Sequence, residues 1–232
     1  MTEDEFFKAI KIDQKDIEKA RFYIKYRGLS EHCFVLDYLQ TFKNETVTYS
    51  EIATALRYDK RIRRILYKFL GLLEEYIRAF ILNKYESDER GLPKTKELIT
   101  QLNNQSNLYQ ALNQLTFGNL VSEVKLLPQS DLSELFFNVE YKEKNLNSII
   151  TLRNEVCHNR FLLHNKRLGG VTVNGKTSYS LWSNVINLVN HLPEHVKESL
   201  RNEIADSQKE GKKGNKNNQV EWNLIKDIAI VF

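Results

Sequence analysis

Leu146-Asn147-Ser148-Ile149-Ile150-Thr151-Leu152-Arg153-Asn154-Glu155-Val156-Cys157-His158-Asn159-Arg160-Phe161-Leu162-Leu163 is the stretch from which the rest of the chain is read. Apolar residues at Leu146, Ile149, Ile150, Leu152, Val156, Cys157, Phe161 and Leu163 fill one broad arc at about 100° per residue. The spacing predicts a helix over 146–167. Arg153 falls near the middle of the arc, where a leucine is ordinary. His158 lies roughly 140° further round, and Asn154 sits one turn before it on the same side. Burying an unpaired charge costs several kcal/mol, so an arginine on a core-facing stripe requires a partner or a crevice. A residue that breaks an otherwise consistent pattern marks a candidate site.

Working outward, the chain reads as helices. Asp13 caps one through about Tyr26, ended by Gly28, and Ser30 starts another through about Phe42. Thr48-Tyr49-Ser50-Glu51 is a capping box opening a short helix, 52–57. A long helix follows over about 60–85, with a stripe that includes Ile62, Leu66, Phe69, Leu73 and Ile77. Glu74 and Arg78 stand one turn apart on its flank, the spacing of an ordinary i,i+4 ion pair. Residues 95–115 form one or two helices, and 116–127 another that Pro128 closes. Tyr141 begins the approach to the Leu146 helix. Residues 181–192 are amphipathic, and Pro193 opens a further helix. Val171 to Tyr179 alternates around Asn174-Gly175, the signal of a type I′ hairpin. A two-stranded hairpin is marginal alone, so it is expected to lie on the helices.

Only three prolines and nine glycines interrupt the chain, which favours helices over a loop-rich fold. The expected fold class is all-α, with a small β-hairpin near 171–179. The expected division is an N-terminal helical region, 1–57, packed on a helical domain, 58–232. Within the latter, the basic, glycine- and asparagine-rich residues 208–219 read as a mobile loop, and 220–232 dock back on the body.

The order arginine, polar residue, any three residues, histidine is the signature of the HEPN ribonuclease superfamily, and Arg153-Asn154 to His158 resembles it. More of the chain is similar to one branch, the abortive-infection (Abi) proteins of the AbiD/AbiF type. Leu152-Arg153-Asn154 to His158, followed by Arg160, resembles their motif phrase. Thr116-Phe117-Gly118-Asn119-Leu120 looks like the Phe-Gly segment that precedes the catalytic helix. Tyr58-Asp59-Lys60-Arg61-Ile62-Arg63, leading to Glu74 and Arg78, resembles their Asp-x-x-Leu-Arg and Glu-x-x-x-Arg helix. The likeness covers about 50–168. It implies a HEPN-like helical bundle, a homodimer through the motif helix, and a metal-independent endoribonuclease of bacterial anti-phage defence. It also implies Glu74 beside Arg153, and a toxin-like role restrained by an antitoxin or an inhibitory RNA. The aromatic Asn-Tyr-Tyr-Arg-type phrase of these proteins is not evident here; Phe22-Tyr23-Ile24-Lys25-Tyr26-Arg27 is a distant echo.

The residues argue the same chemistry independently. Imidazole titrates near neutrality, so His158 can exchange a proton at a reacting phosphodiester. Arg153 can neutralise phosphate oxygens as negative charge builds. Asn154 can orient His158 or touch substrate. RNA supplies its own 2′-hydroxyl nucleophile, so the expected site needs neither metal nor cofactor. Arg160, His164, Lys166 and Arg167 follow as a strip for the RNA backbone. Arg153 and His158 point apart on one straight helix, so two copies about a twofold axis make the better constellation.

Composition removes other classes. The net charge of +4 is mild and names no partner. Cys33 and Cys157 stand too far apart for a disulfide framework or zinc pattern. The acidic start, Met1-Thr2-Glu3-Asp4-Glu5, reads as neither signal nor membrane span, so a cytoplasmic protein is expected. No phosphate-loop, metalloprotease or serine-hydrolase motif is present. Two alternatives stay open. One is a non-catalytic RNA-binding protein. The other is a DNA-binding regulator with a helix-turn-helix over 48–68, offering Arg61, Arg63 and Arg64 to the major groove.

Overall fold

Helix α4 runs unbroken from Tyr49 to Tyr85. Its start is the anticipated capping box: the Thr48 hydroxyl accepts the Glu51 N–H at 3.2 Å, and the Glu51 carboxylate accepts the Thr48 N–H at 2.8 Å. No glycine or proline stands between Arg57 and Lys60, and Tyr58 and Asp59 are wholly buried side by side. The two helices expected here are therefore one. A helix-turn-helix needs a turn at this point, and α4 has none. Arg63 is buried and Arg61 half-buried, so two of the three arginines that reading offers to a groove face inward.

The structure is a computed structural model that describes residues 1–137, 142–164, 166–173, 175–209, 224–225 and 228–232. It is predominantly helical, and the hairpin is the one sheet among the described residues. Tyr141, Asn174 and residues 210–219 of the expected basic loop lie outside the described residues. The chain forms two compact units, and the division is not one cut at residue 57. The first unit is residues 1–64, 160–165 and 202–231; the second is 65–159, 166–201 and 232.

The first unit contains α1 (Glu3–Ala9), α2 (Ile17–Arg27), α3 (Leu29–Gln40) and the start of α4. Helix α1 has no counterpart in the sequence reading; Thr2 and Glu5 cap it reciprocally. Gly28 ends α2 at φ +90°, a conformation that glycine takes without a Cβ penalty. Phe6, Leu36, Leu39, Tyr58 and Ile62 are buried in its core. Asp59 closes the unit from within. It accepts the backbone N–H groups of Leu162 at 2.6 Å and Leu163 at 3.3 Å, and faces Arg63 Nε at 2.7 Å. The C-terminal residues dock as expected: Leu224, Ile225, Ile228 and Ile230 are buried, and the Ile230 N–H donates to the Tyr58 hydroxyl at 3.1 Å.

The second unit holds α4 from Ile65 onward, α5 (Lys96–Asn104), α6 (Leu108–Gln114), α7 (Phe117–Val124), α8 (Gln129–Leu135) and α9 (Glu143–Cys157). The strands β1 (Val171–Val173) and β2 (Lys176–Ser178), α10 (Leu181–His191) and the start of α11 (Glu194–Lys209) complete it. Thr95, Asn107, Thr116 and Ser180 each accept an N–H in the first turn of the helix they precede. Phe69, Leu73 and Ile77 of α4, Leu152 and Val156 of α9, and Leu188 of α10 are buried. The hairpin pairs Val171 with Ser178 and Val173 with Lys176, which leaves a two-residue connection, as Asn-Gly predicts. It is held on the helices by amides. Asn145 accepts the Thr172 N–H at 3.0 Å and Asn184 donates to the Gly169 carbonyl at 3.0 Å, while Asn187 of α10 ties the two helices beneath together by donating to Ser148 Oγ of α9 at 2.8 Å. A Cβ on Gly169 would stand 2.5 Å from Ser148 Cα, so the approach of the hairpin's stem to α9 requires glycine.

Candidate functional site

Helix α9 stops sooner than its periodicity predicts. Its last helical residue is Cys157, His158 caps it at φ −82° and ψ 9°, and Asn159 turns the chain into the left-handed region at φ +54°. Asparagine tolerates that conformation better than most residues. The expected helix over 146–167 is therefore corrected to Glu143–Cys157, and Arg160, His164, Lys166 and Arg167 do not form a helical strip. Of their periodic apolar neighbours, Phe161 is buried and Leu163 half-buried, both in non-helical chain.

On the second unit, α9 and α4 border an open groove of about 410 Å³. Arg153 and Cys157 line it from α9; Tyr67, Lys68, Glu74 and Glu75 are among those lining it from α4. Arg153 is half-buried and, among the described residues, its side chain takes no hydrogen bond or ion pair. The conflict read in the sequence, an arginine on a core stripe, is resolved by a crevice rather than by a partner. Glu74 lines the same groove but pairs with Arg78, so it does not hold the Arg153 guanidinium in the way the resemblance implied.

Arg78 makes the expected i,i+4 ion pair with Glu74 and has a further task besides. Its Nη1 lies 2.8 Å from Glu74, while Nε and Nη2 donate to the carbonyls of Leu112 at 3.2 Å and Leu115 at 3.0 Å. Carbonyls at a helix end lack the usual i+4 donor; at the end of α6 Arg78 supplies one to Leu115 and joins the Leu115 N–H on the Leu112 carbonyl. Arg78 is not among the groove's lining residues; it holds Glu74 and α6 in place.

Asn154 and His158 are exposed, and His158 does not line the groove that Arg153 faces. One copy of α9 thus presents the two key residues to different surroundings. Arg160, Lys166 and Arg167 are exposed. His164 belongs to the first unit and is half-buried against rings, with Tyr38 at 5.1 Å and Phe34 at 5.7 Å. That is a packing environment, not an open phosphate contact. His32 and His191 are buried.

Two residues matter more than the sequence reading allowed. Asp59 and Arg63 form a buried pair inside the very segment that carried the family likeness, and their i,i+4 spacing was the available signal. Burial pushes Asp59 up to about 6, against the opposing pull of Arg63 and two backbone N–H groups. Lys68 and Cys157 also line the groove; the periodicity marked Cys157 only as an apolar residue of the arc and gave no sign of Lys68.

Among the described residues no three His, Cys, Asp or Glu side chains converge as a metal-ligating group, and no helix is long and apolar enough to cross a membrane. Comparison with protein-family models, curated proteins and solved structures gave no match to this chain.

Proposed function

We propose that this chain is a metal-independent endoribonuclease, acting in the cytoplasm as a toxin-like effector of bacterial anti-phage abortive infection. The observation that carries the reading is Arg153: a half-buried guanidinium without a partner among the described residues, facing a groove, five residues before an exposed His158. A phosphate group in that groove would supply the missing counter-charge, and the planar donors of arginine match its oxygens. Glu74, held by Arg78, lines the same groove.

In the reaction, the 2′-hydroxyl oxygen attacks the adjacent phosphorus and the 5′-oxygen leaves. The products are a 2′,3′-cyclic phosphate and a 5′-hydroxyl. One proton leaves the nucleophile and one must reach the leaving oxygen. His158 serves as the exchanging group. Arg153 stabilises the charge on the pentacoordinate phosphorus, and Asn154, one turn before His158, orients it. A second copy about a twofold axis would bring its own His158 toward the first copy's groove, so the active species in this reading is a homodimer through α9. An antitoxin or a bound RNA restrains it in healthy cells.

The test uses purified wild type and His158→Ala with total RNA in excess EDTA. Cleavage with cyclic-phosphate ends, lost in the variant, is expected. RNA retention without cleavage by either protein would move the assignment to a binding module. An active monomer would remove the dimer.

A further inference from the structure

We propose that the first unit carries a binding cavity for a nucleoside 5′-phosphate, either free or as the first nucleotide of an RNA strand. The proposal rests on the first unit alone and does not depend on cleavage at α9.

The cavity has two adjoining compartments that share Tyr23, Tyr49, Ala53 and Arg57. The outer one measures about 330 Å³, the inner about 80 Å³. The outer volume falls in the range of small-ligand sites. Arg27 and Arg57 line the inner compartment, Lys11 and Lys19 the outer, together with the carboxylates of Asp13 and Asp16. Four cations against two carboxylates leave the cavity net positive. The guanidinium groups suit a phosphate; the carboxylates accept from hydroxyl or amino groups such as those of a ribose and base.

His32 supplies the second, independent observation. It is wholly buried, lines the inner compartment, and its Nδ1 lies 2.9 Å from the Gly28 carbonyl. A carbonyl only accepts, so Nδ1 carries the hydrogen and Nε2 the lone pair. Burial holds the imidazole pKa down and so keeps it neutral. Nε2 has no partner among the described residues, and neither does the buried Nη1 of Arg27. One is an acceptor and the other a donor. A donor and an acceptor in side chains that line the inner compartment suit a group offering both an oxygen and a hydroxyl, such as a monoprotonated phosphate monoester or a phosphate beside a ribose hydroxyl. Orphaned buried polar groups of this kind call for such a partner.

The ring component comes from the aromatic walls. Tyr49 stacks on His32 with planes 4° apart, and Tyr23 lines both compartments. Outside the cavity, α2 exposes Phe22 and Tyr26, with ring centroids 4.9 Å apart, among Lys25, Arg21 and Lys19. Exposed rings interleaved with cations are a surface on which successive bases stack. This favours a strand whose first nucleotide enters the cavity over the free nucleotide.

The experiment titrates the wild type with adenosine 5′-monophosphate, adenosine and inorganic phosphate. It titrates His158→Ala, which cannot cut its ligand under the proposed function, with a short RNA bearing a 5′-phosphate or a 5′-hydroxyl. Saturable binding of the monophosphate or the 5′-phosphorylated RNA is expected, at least tenfold tighter than of adenosine or the 5′-hydroxyl RNA. Arg27→Gln should weaken it at least tenfold; if that variant unfolds, Tyr23→Ala, exposed on α2, takes its place. Equal binding of the monophosphate and the phosphorylated strand assigns the free nucleotide. Tighter binding of the strand, reduced by Tyr26→Ala, assigns the RNA end. No saturable binding of either probe, indifference to the 5′-phosphate, or full affinity in folded Arg27→Gln and Tyr23→Ala would overturn the proposal.

Discussion

The Asp59 carboxylate accepts the backbone N–H of Leu162 at 2.6 Å across 103 residues of sequence. A side chain on α4 thus fixes the chain shortly after the motif, and the same carboxylate faces Arg63. Asp59→Ala is expected to lower stability by about 2–4 kcal/mol, because it strips a buried guanidinium and two N–H groups of their shared acceptor. Denaturant unfolding of purified protein measures it. A loss within about 0.5 kcal/mol would show that the buried pair is dispensable.

The same group sets a pH dependence. In the folded chain Asp59 is raised to about 6, above its ordinary value of 3.8, so the native state holds this proton more tightly than the unfolded state. Its contribution is full below the unfolded value and is lost as pH rises through the folded one. Between pH 4 and 7 the wild type should lose on the order of 2 kcal/mol that non-titrating Asp59→Asn does not lose. Parallel stability profiles for the two proteins would remove this attribution.

Arg78 and Arg153 should separate by readout. Arg78→Met leaves Glu74 without this cation, takes the side-chain donor from the Leu115 carbonyl and leaves Leu112 only the Leu115 N–H, and should cost about 2–3 kcal/mol in stability. Arg78→Lys should recover only part of this, since an ammonium cannot serve three sites in one plane. Arg153→Ala, at a groove-facing position, should keep stability within about 1 kcal/mol and yet lower RNA cleavage by about a hundredfold or more. Equal stability losses at both positions would make Arg153 a packing residue.

Gly169→Ala tests the hairpin's seat. The added Cβ meets the backbone of Ser148 at 2.5 Å, which no side-chain rotation relieves. A cost of about 1–3 kcal/mol is expected, with faster amide exchange at Thr172, whose N–H is held by Asn145. Unchanged exchange there would show that the stem tolerates the methyl group.

What the sequence disclosed follows the range of each interaction. Capping boxes and hairpin turns are local, so Thr48-Glu51 and the two-residue connection after Val173 were readable in advance. Arg153 was readable because it violates a local period. The continuity of α4 was not. Asp59-Lys60-Arg61 looks like a polar break until Leu162 and Leu163 are known to receive the carboxylate. The end of α9 misled for a related reason. Phe161 keeps helical spacing with Val156 and Cys157, but its ring packs beside Tyr38 and Phe34 in non-helical chain. The carbonyl partners of Arg78 left no trace in the sequence, since a backbone carbonyl is the same whatever residue bears it.

The make-up of the first unit dictates an order of assembly during synthesis. Residues 1–64 emerge first, but their unit also includes 202–231, and Tyr58 receives the N–H of Ile230. At about 5–20 residues per second, the ribosome keeps the N-terminal helices waiting several seconds to half a minute for those last strokes. The second unit draws on residues 65–201 almost alone, so it can close while the earlier-made helices are still incomplete. Residues 1–64 are thus translated before the second unit and completed after it.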